Sequence, residues 1–305
     1  MGKKLVVKID TDKYRTPTQK ELEDAKKYVV RRSEAASALS DIAEEEITEA
    51  AAEITQIAMR YDIEPTLFAL DSNVNEDMMD EVATVMDNLE ESLMEHLEDY
   101  TTAPAKNEGT RYLILALVLS LGHLNWGIRE TLHQYLWRTL RQVEALIVSA
   151  KVAKLTPQAA VSMVRSSIGD FRGSSTYRSI MKYRHLYEAQ YVRNGGQATY
   201  SDGTPNVQGV PISGVQAVLN VLKSAVDAAW LYNKQVEWAS DGVVGYWQFR
   251  GSDFPCDACD EEVGFHELGE GEDMEIRMEY DPYPHPHCCC GRLPIYNKEQ
   301  LENVG

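Results

Sequence analysis

Residues 256–291 read CDACDEEVGFHELGEGEDMEIRMEYDPYPHPHCCCG and contain all five cysteines of a 305-residue chain, together with three of its seven histidines. Cys256 and Cys259 open the stretch, and a tight cluster of histidine and cysteine, beginning at His285, closes it. Two such clusters joined by a spacer commonly surround one tetrahedral metal ion, and zinc suits thiolate and imidazole ligands. The stretch therefore predicts a zinc knuckle in which Zn2+ has a structural role.

The candidate ligands exceed the four positions of a tetrahedral site. They are Cys256, Cys259, His285, Cys288 and Cys290. The first two are the strongest candidates. In the second cluster we favour Cys290 with either His285 or Cys288, and the pattern leaves that choice open. Cys289 lies between two other cysteines and is expected to point the opposite way.

A catalytic zinc site is the alternative to a structural one. The zinc-deaminase pattern, H-x-E followed by P-C-x-x-C, is matched only in its second half, because His266-Glu267 come after Cys259 and lack the intervening residue. The H-E-x-x-H helix, the phosphate-binding loop and the nucleophile elbow are absent from the sequence. A closed, cysteine-rich site also leaves no position for an activated water. We therefore expect no enzymatic activity, with a zinc-dependent hydrolase or deaminase as the weaker alternative.

The formal charge of −18 is unevenly distributed along the chain. Residues 41–100 carry 19 acidic side chains and one basic one, whereas residues 111–240 carry a net charge of +7. This distribution excludes a generally basic nucleic-acid binder and places any anion-binding face in the middle third. The acidic faces are most simply solvated, and the alternative is a surface that binds a basic partner.

One segment of that middle third, residues 174–196, combines basic and aromatic side chains. Its candidate nucleic-acid-binding residues are Arg178, Lys182, Arg184 and Arg193. Such a face can contact the phosphates of double-stranded DNA, so a DNA-binding module is the second functional hypothesis. A basic helix packed within its own domain is the structural alternative.

Apolar residues recur at helical spacing through most of the chain. The first helix is predicted to start at Thr16-Pro17-Thr18-Gln19, with Thr16 as its cap, and to run to about Tyr61. A second starts at Asp71-Ser72-Asn73, and its methionine-rich stripe is more simply core than partner surface. Further helices are expected over residues 111–155, with a break near Gly122 or Gly127, then from Thr156-Pro157, over 174–196 and over 213–238. His123 and His133 are predicted to be buried or interfacial.

The carboxyl-terminal third of the sequence contains segments that are typical of β-strands. Residues 197–212 indicate a loop or small hairpin, and residues 243–249 and 274–280 are predicted strands. The fold class is therefore mainly α, with long amino-terminal helices followed by a small α+β carboxyl-terminal domain that contains the zinc knuckle. The predicted domains are a helical region over 1–196, with acidic helices over 16–100 and further helices over 111–193, and a carboxyl-terminal domain over 197–305.

No apolar stretch of the sequence is long enough for a signal peptide or a membrane span. The longest run, Leu113 to Leu121, has nine residues, whereas a spanning helix needs about 20. We therefore expect no membrane association. Without a secretion signal the cysteines should be reduced, which favours metal binding over disulfides.

Several of these features together resemble the carboxyl-terminal domain of phage Mu F-like minor head proteins. The matching residues are Tyr246-Trp247, Asp253, Cys256, Cys259, Gly264 and His285-Pro286-His287-Cys288-Cys289-Cys290. The preceding helix, residues 213–238, is also similar to the family pattern. The resemblance covers the last 110–130 residues, and the acidic half has no matching motif. Cys289 departs from the pattern, because a basic residue usually stands between the last two cysteines.

The resemblance implies a role in phage head morphogenesis. A protein of this family is expected inside the capsid, bound near the portal protein and to other capsid or scaffold proteins, and in contact with packaged double-stranded DNA. Its localisation would be the virion, with the host cytoplasm as the site of assembly.

Overall fold

A computed structural model of the chain describes residues 8–65, 68–70, 75–121, 127–169, 198–199, 205–206, 214–250, 263–267 and 290–298. Six helices lie within these ranges and account for 73% of them. Their bounds are α1 (Gln19–Arg60), α2 (Glu76–Thr102), α3 (Glu108–Ser120), α4 (Ile128–Val152), α5 (Pro157–Gly169) and α6 (Gly214–Ser240). The prediction of a mainly helical protein is confirmed.

The strands within the described ranges form one small sheet and one minimal hairpin. They are β1 (Tyr14–Arg15), β2 (Ala198–Thr199), β3 (Pro205–Asn206), β4 (Val243–Phe249), β5 (Gly264–Glu267) and β6 (Gly291–Asn297). The four-stranded sheet has the order β1-β6-β4-β5, and every pairing in it is antiparallel. The hairpin pairs β2 with β3. The small carboxyl-terminal α+β element and the strand over 243–249 are thus confirmed, whereas the predicted strand over 274–280 lies outside the described residues.

Helix α1 begins two residues later than its sequence signals indicate. The Glu21 amide donates to the Thr18 hydroxyl at 3.2 Å, and the Glu21 carboxylate accepts from the Thr18 amide at 2.7 Å. This reciprocal pair is a capping box, so Thr18 is the cap and the prediction of Thr16 was wrong. The reason is the carboxylate: Glu21 can bind the Thr18 amide, whereas Gln19 has no such contact with Thr16 and instead binds Glu23.

Helix α2 is capped by Asn75, whose side-chain oxygen accepts from the Met78 amide at 3.0 Å. The predicted start, Asp71-Ser72-Asn73, lies outside the described residues, within which α2 begins at Glu76. The methionine-rich stripe of α2 is core, as predicted. Its buried members are Met78, Val82, Val85, Met86, Leu89, Leu93 and Leu97.

The predicted break within residues 111–155 is confirmed, because α3 ends at Ser120 and α4 begins at Ile128. Thr156 caps α5 as expected, accepting from the Ala159 amide at 3.3 Å. His133 was predicted to be buried or interfacial; its side chain is 47% exposed, and Nδ1 lies 2.8 Å from a Glu90 carboxylate oxygen of α2. It is therefore interfacial between two helices but not buried. His123 lies outside the described residues.

The chain divides into two compact units, each built from separated segments. The sheet unit combines Met1–Leu39, Leu97–Leu119 and Leu222–Gly305. The helical unit combines Ser40–His96 and Ser120–Val221. The predicted boundary between residues 196 and 197 falls outside the described ranges and stays a prediction.

One core of the sheet unit lies between the sheet and α1. It consists of Tyr14, Trp247, Phe249, Leu293 and Ile295, against which Leu22, Ala25 and Val29 of α1 pack. A second cluster joins Trp238 at the end of α6 to Val243 and Tyr246 of β4. None of the described helices is both long enough and apolar enough to cross a membrane.

Candidate metal centre

Three strand ends meet at one edge of the four-stranded sheet. Phe249, the last residue of β4, pairs with Gly291, the first residue of β6. Gln248 pairs with Gly264, the first residue of β5. The chain therefore leaves β4 and enters both β5 and β6 at the same edge, which we call the knuckle edge.

Chain connectivity links every predicted metal ligand to the knuckle edge. Cys256 and Cys259 belong to the connection between β4 and β5, which begins and ends at this edge. His285 and Cys288 immediately precede Cys290, the residue before β6. Of the five candidates, only Cys290 lies among the described residues. The basic candidates Arg178, Lys182, Arg184 and Arg193 all lie outside them.

Cys290 is buried at the entrance to β6, with 6% of its surface exposed. Its backbone carbonyl accepts a hydrogen bond of 3.0 Å from Nη2 of Arg32, a residue of α1. Because a charged donor binds a carbonyl more strongly than a neutral one, this contact fixes the main chain at the position where the second ligand cluster meets the sheet.

Arg32 is itself completely buried. Its Nε lies 3.0 Å from Oδ1 of Asp227, a residue of α6 whose side chain is 7% exposed. A buried guanidinium is stable only when it is paired with a carboxylate and further hydrogen-bonded, and Asp227 and the Cys290 carbonyl provide both. The arginine therefore connects α1, α6 and the knuckle edge within the sheet unit.

The same face of α1 also packs against β6 directly. Val29 lies one helical turn before Arg32 and contacts Gly291 so closely that a β-carbon built on the glycine would lie 2.8 Å from Val29 Cγ2. That β-carbon would also lie 2.3 Å from Cζ of Phe249. Only a glycine fits this position without displacement of its neighbours.

Replacing Gly291 by alanine is expected to lower the free energy of unfolding by about 1–3 kcal/mol, because the added methyl overpacks the space between Val29 and Phe249. Chemical denaturation of both proteins measures the difference. Gly109→Ala in α3 is the matched control, since its nearest neighbour would be 3.4 Å away and alanine favours a helix. Equal stability of Gly291→Ala and the unmodified chain would contradict the packing.

Burial dominates the electrostatics of this region. It raises the pKa of Asp227 to about 6, although Arg32 and Lys223 act in the opposite direction. Burial also raises the pKa of the nearby Tyr28, whose hydroxyl donates to the backbone carbonyl of Trp230. At neutral pH Asp227 is thus mainly ionised and opposes a guanidinium that cannot lose its proton. Tyr28 remains neutral.

The side chains of the two cysteine-histidine clusters are of the types that a structural zinc ion binds. Thiolates outnumber imidazoles in the two clusters, and the one candidate within the described ranges, Cys290, is shielded from solvent. Among those ranges no three His, Cys, Asp or Glu side chains form a metal-binding group, and four of the five candidates lie elsewhere in the chain. When bound, zinc would supply a cross-link between the two clusters.

Sequence reasoning missed Arg32 and Asp227. A signal for the arginine is present, because Arg32 occupies an apolar position in the stripe that includes Val29, Ala36 and Leu39. Asp227 is similarly the one charged residue in the segment Ala225–Trp230. A charge within a buried stripe indicates a partner, but the periodicity of one helix does not identify it.

The described part of the candidate centre therefore consists of Cys290 and a buried ion pair, and the other four candidate ligands lie in the segments that precede β5 and β6 in the sequence. The buried arginine contacts a main-chain carbonyl and a carboxylate, so its contacts connect three parts of the sheet unit. Comparison of the chain with protein-family models, with curated proteins and with solved structures gives no match.

Proposed function

We propose that this chain is a non-enzymatic phage minor head protein that acts in head morphogenesis, associates with the portal inside the capsid and carries a structural zinc ion. The observation that supports the proposal most directly is the meeting of three strand ends at the knuckle edge. The first cysteine cluster follows β4 and precedes β5 in the sequence, and the second directly precedes β6.

The order of elements around this edge agrees with the order of motifs in the resemblance to Mu F-like proteins. The aromatic pair Tyr246-Trp247 lies in β4, and the glycine that follows the first cluster, Gly264, is the first residue of β5. Cys290, which ends the H-P-x-C-x-C motif, directly precedes β6. The aromatic pair, the glycine and Cys290 thus lie in a strand or next to its start, where a metal cross-link would stabilise a short sheet.

A small sheet of this kind gains little stability from strand pairing alone. Its outer strand β1 has only two residues and β5 has four, so few backbone hydrogen bonds hold them. Structural zinc contributes on the order of 10 kcal/mol to small domains. A zinc ion would therefore supply stability that this short sheet does not obtain from its strand pairing.

The acidic segments of α1 and α2 form the surface that we propose for assembly. Residues 41–100 carry a net charge of −18, and most of them form α1 and α2. A surface with this charge repels DNA and attracts basic protein surfaces. We propose that it binds basic portal or scaffold surfaces and remains separate from the packaged genome.

Co-expression of the chain with a candidate portal protein from the same genome tests the assembly role. We expect the two proteins to co-purify at low salt and to separate as the salt concentration rises, because the attraction is electrostatic. Purified phage heads should contain the chain in a few copies. Its absence from heads would refute the proposal, and zinc analysis of the same samples reports on the metal independently.

A further inference from the structure

We infer that Arg32 is a positioning residue for the zinc ion: by binding the Cys290 carbonyl while Asp227 holds its guanidinium, it stabilises the main-chain position from which Cys290 would bind the metal. This inference rests on the proposed zinc site. It adds to that site a residue that lies 258 positions away in the chain and belongs to neither cysteine cluster.

One face of α1 contacts the start of β6. Val29 and Arg32 are three residues apart, and residues at this spacing lie on the same side of a helix. Val29 packs against Gly291 and Arg32 binds the carbonyl of Cys290. Two consecutive residues at the entrance to β6 are thus held by one helical face, which restricts the main chain in both position and direction.

Arg32 contacts two groups through different nitrogens of its guanidinium. A guanidinium presents several donors in a rigid plane, so one side chain can bind two acceptors at once. In Arg32 the Nε lies 3.0 Å from Asp227 and Nη2 lies 3.0 Å from the Cys290 carbonyl. A lysine at this position would keep the positive charge, but its single ammonium could not reproduce both distances.

The contact between Arg32 and Cys290 is expected to raise the affinity of the site for Zn2+. A contact that stabilises the metal-binding position of a ligand's main chain offsets part of the cost of ordering that ligand, so the affinity rises. Groups that orient metal ligands in this way typically change affinity 10- to 100-fold when they are altered. By reciprocity, bound zinc must stabilise the contact between Arg32 and Cys290 to the same extent.

The experiment compares the full chain with Arg32→Lys, using Zn2+ competition against a chromophoric chelator. Arg31→Lys is the matched control, because Arg31 is an exposed neighbour. We expect Arg32→Lys to bind Zn2+ at least tenfold more weakly, while Arg31→Lys binds it as the unmodified chain does. With saturating Co2+, Arg32→Lys should still give the absorption of a tetrahedral thiolate site, since no ligand has been removed.

The outcomes separate the inference from the proposed function. If the unmodified chain binds no Zn2+, both are wrong. If the unmodified chain and Arg32→Lys bind Zn2+ equally, the proposed site stands and the positioning role is refuted. Loss of the Co2+ spectrum at saturation in an Arg32→Lys protein that is folded would also refute it, because the residue would then be needed for the site to exist.

A measurement on the unmodified chain covers the case in which Arg32→Lys does not fold. Removal of zinc by a chelator should accelerate amide hydrogen exchange in residues 29–36 of α1 and around Asp227. Exchange in α4, which belongs to the helical unit, is the internal control. Unchanged exchange in residues 29–36 after complete zinc removal would overturn the inference.

Discussion

Cys256→Ser is expected to abolish zinc binding and to unfold the sheet unit from about Val243 onward. Loss of one thiolate from a four-ligand site removes most of the binding free energy, which is on the order of 10 kcal/mol for small zinc domains. Zinc content by atomic spectroscopy and limited proteolysis of the folded chain measure the two effects. Cleavage should concentrate after Val243, and α4 and α5 should remain protected.

Cys289→Ser is the matched control for this experiment. It removes a thiol from the same cluster, but the side chain at this position is predicted to point away from the metal, so zinc content and proteolysis should not change. Addition of a chelator to the unmodified chain should reproduce the effect of Cys256→Ser. A Cys256→Ser protein that keeps its stability, together with a chelator that has no effect, would show that structural zinc is absent.

Arg32→Met is expected to lower the free energy of unfolding by about 3–5 kcal/mol at neutral pH, because Asp227 is left as a buried charge without its partner. Methionine occupies a similar volume, so lost packing contributes little. Urea denaturation measures the change. The double variant Arg32→Met with Asp227→Leu should regain part of the stability, since it removes the unpaired carboxylate as well.

The pH dependence of this loss follows from the raised pKa of Asp227. Its folded pKa of about 6 lies above the ordinary value of 3.8, so the folded state binds the proton more tightly and stability falls as pH rises from about 4 to 6. Removal of Arg32 raises this pKa further, which extends the fall to higher pH. The difference between Arg32→Met and the unmodified chain should therefore be small near pH 5 and larger near pH 7.5. A difference that is independent of pH would contradict the ion pair.

Local sequence signals predicted the elements of this fold well, because the physics that forms them is local. The spacing of Met78, Val82 and Leu89 sufficed to predict a buried stripe on α2. The β-branched and aromatic content of residues 243–249 predicted β4. The start of α1 was less accurate: Thr18 is the cap, although Thr16 has a suitable side chain.

Such local signals do not predict contacts between segments that are far apart in the sequence. Nothing in Tyr14-Arg15 indicates that it pairs with Tyr296-Asn297, since a two-residue strand has no period to detect. Arg32 and Asp227 illustrate the same limit, because the apolar stripe of each helix indicates a buried charge but does not identify its partner. The candidate metal ligands could be nominated from the spacing of the cysteine clusters, and zinc binding by them stays a prediction.

The position of β6 in the sheet has a consequence for biosynthesis. Residues 291–297 form an inner strand, with β1 on one side and β4 on the other, so the sheet cannot assemble until these residues have left the ribosome. Until then the face of α1 that carries Leu22, Val29 and Arg32 lacks the part of its packing surface that β6 provides. Pairing across so long a separation is slow and leaves apolar surface exposed to aggregation. The nascent chain is therefore expected to depend on chaperones during synthesis, and zinc, whose ligands also come late in the chain, would secure the sheet as one of the last events of folding.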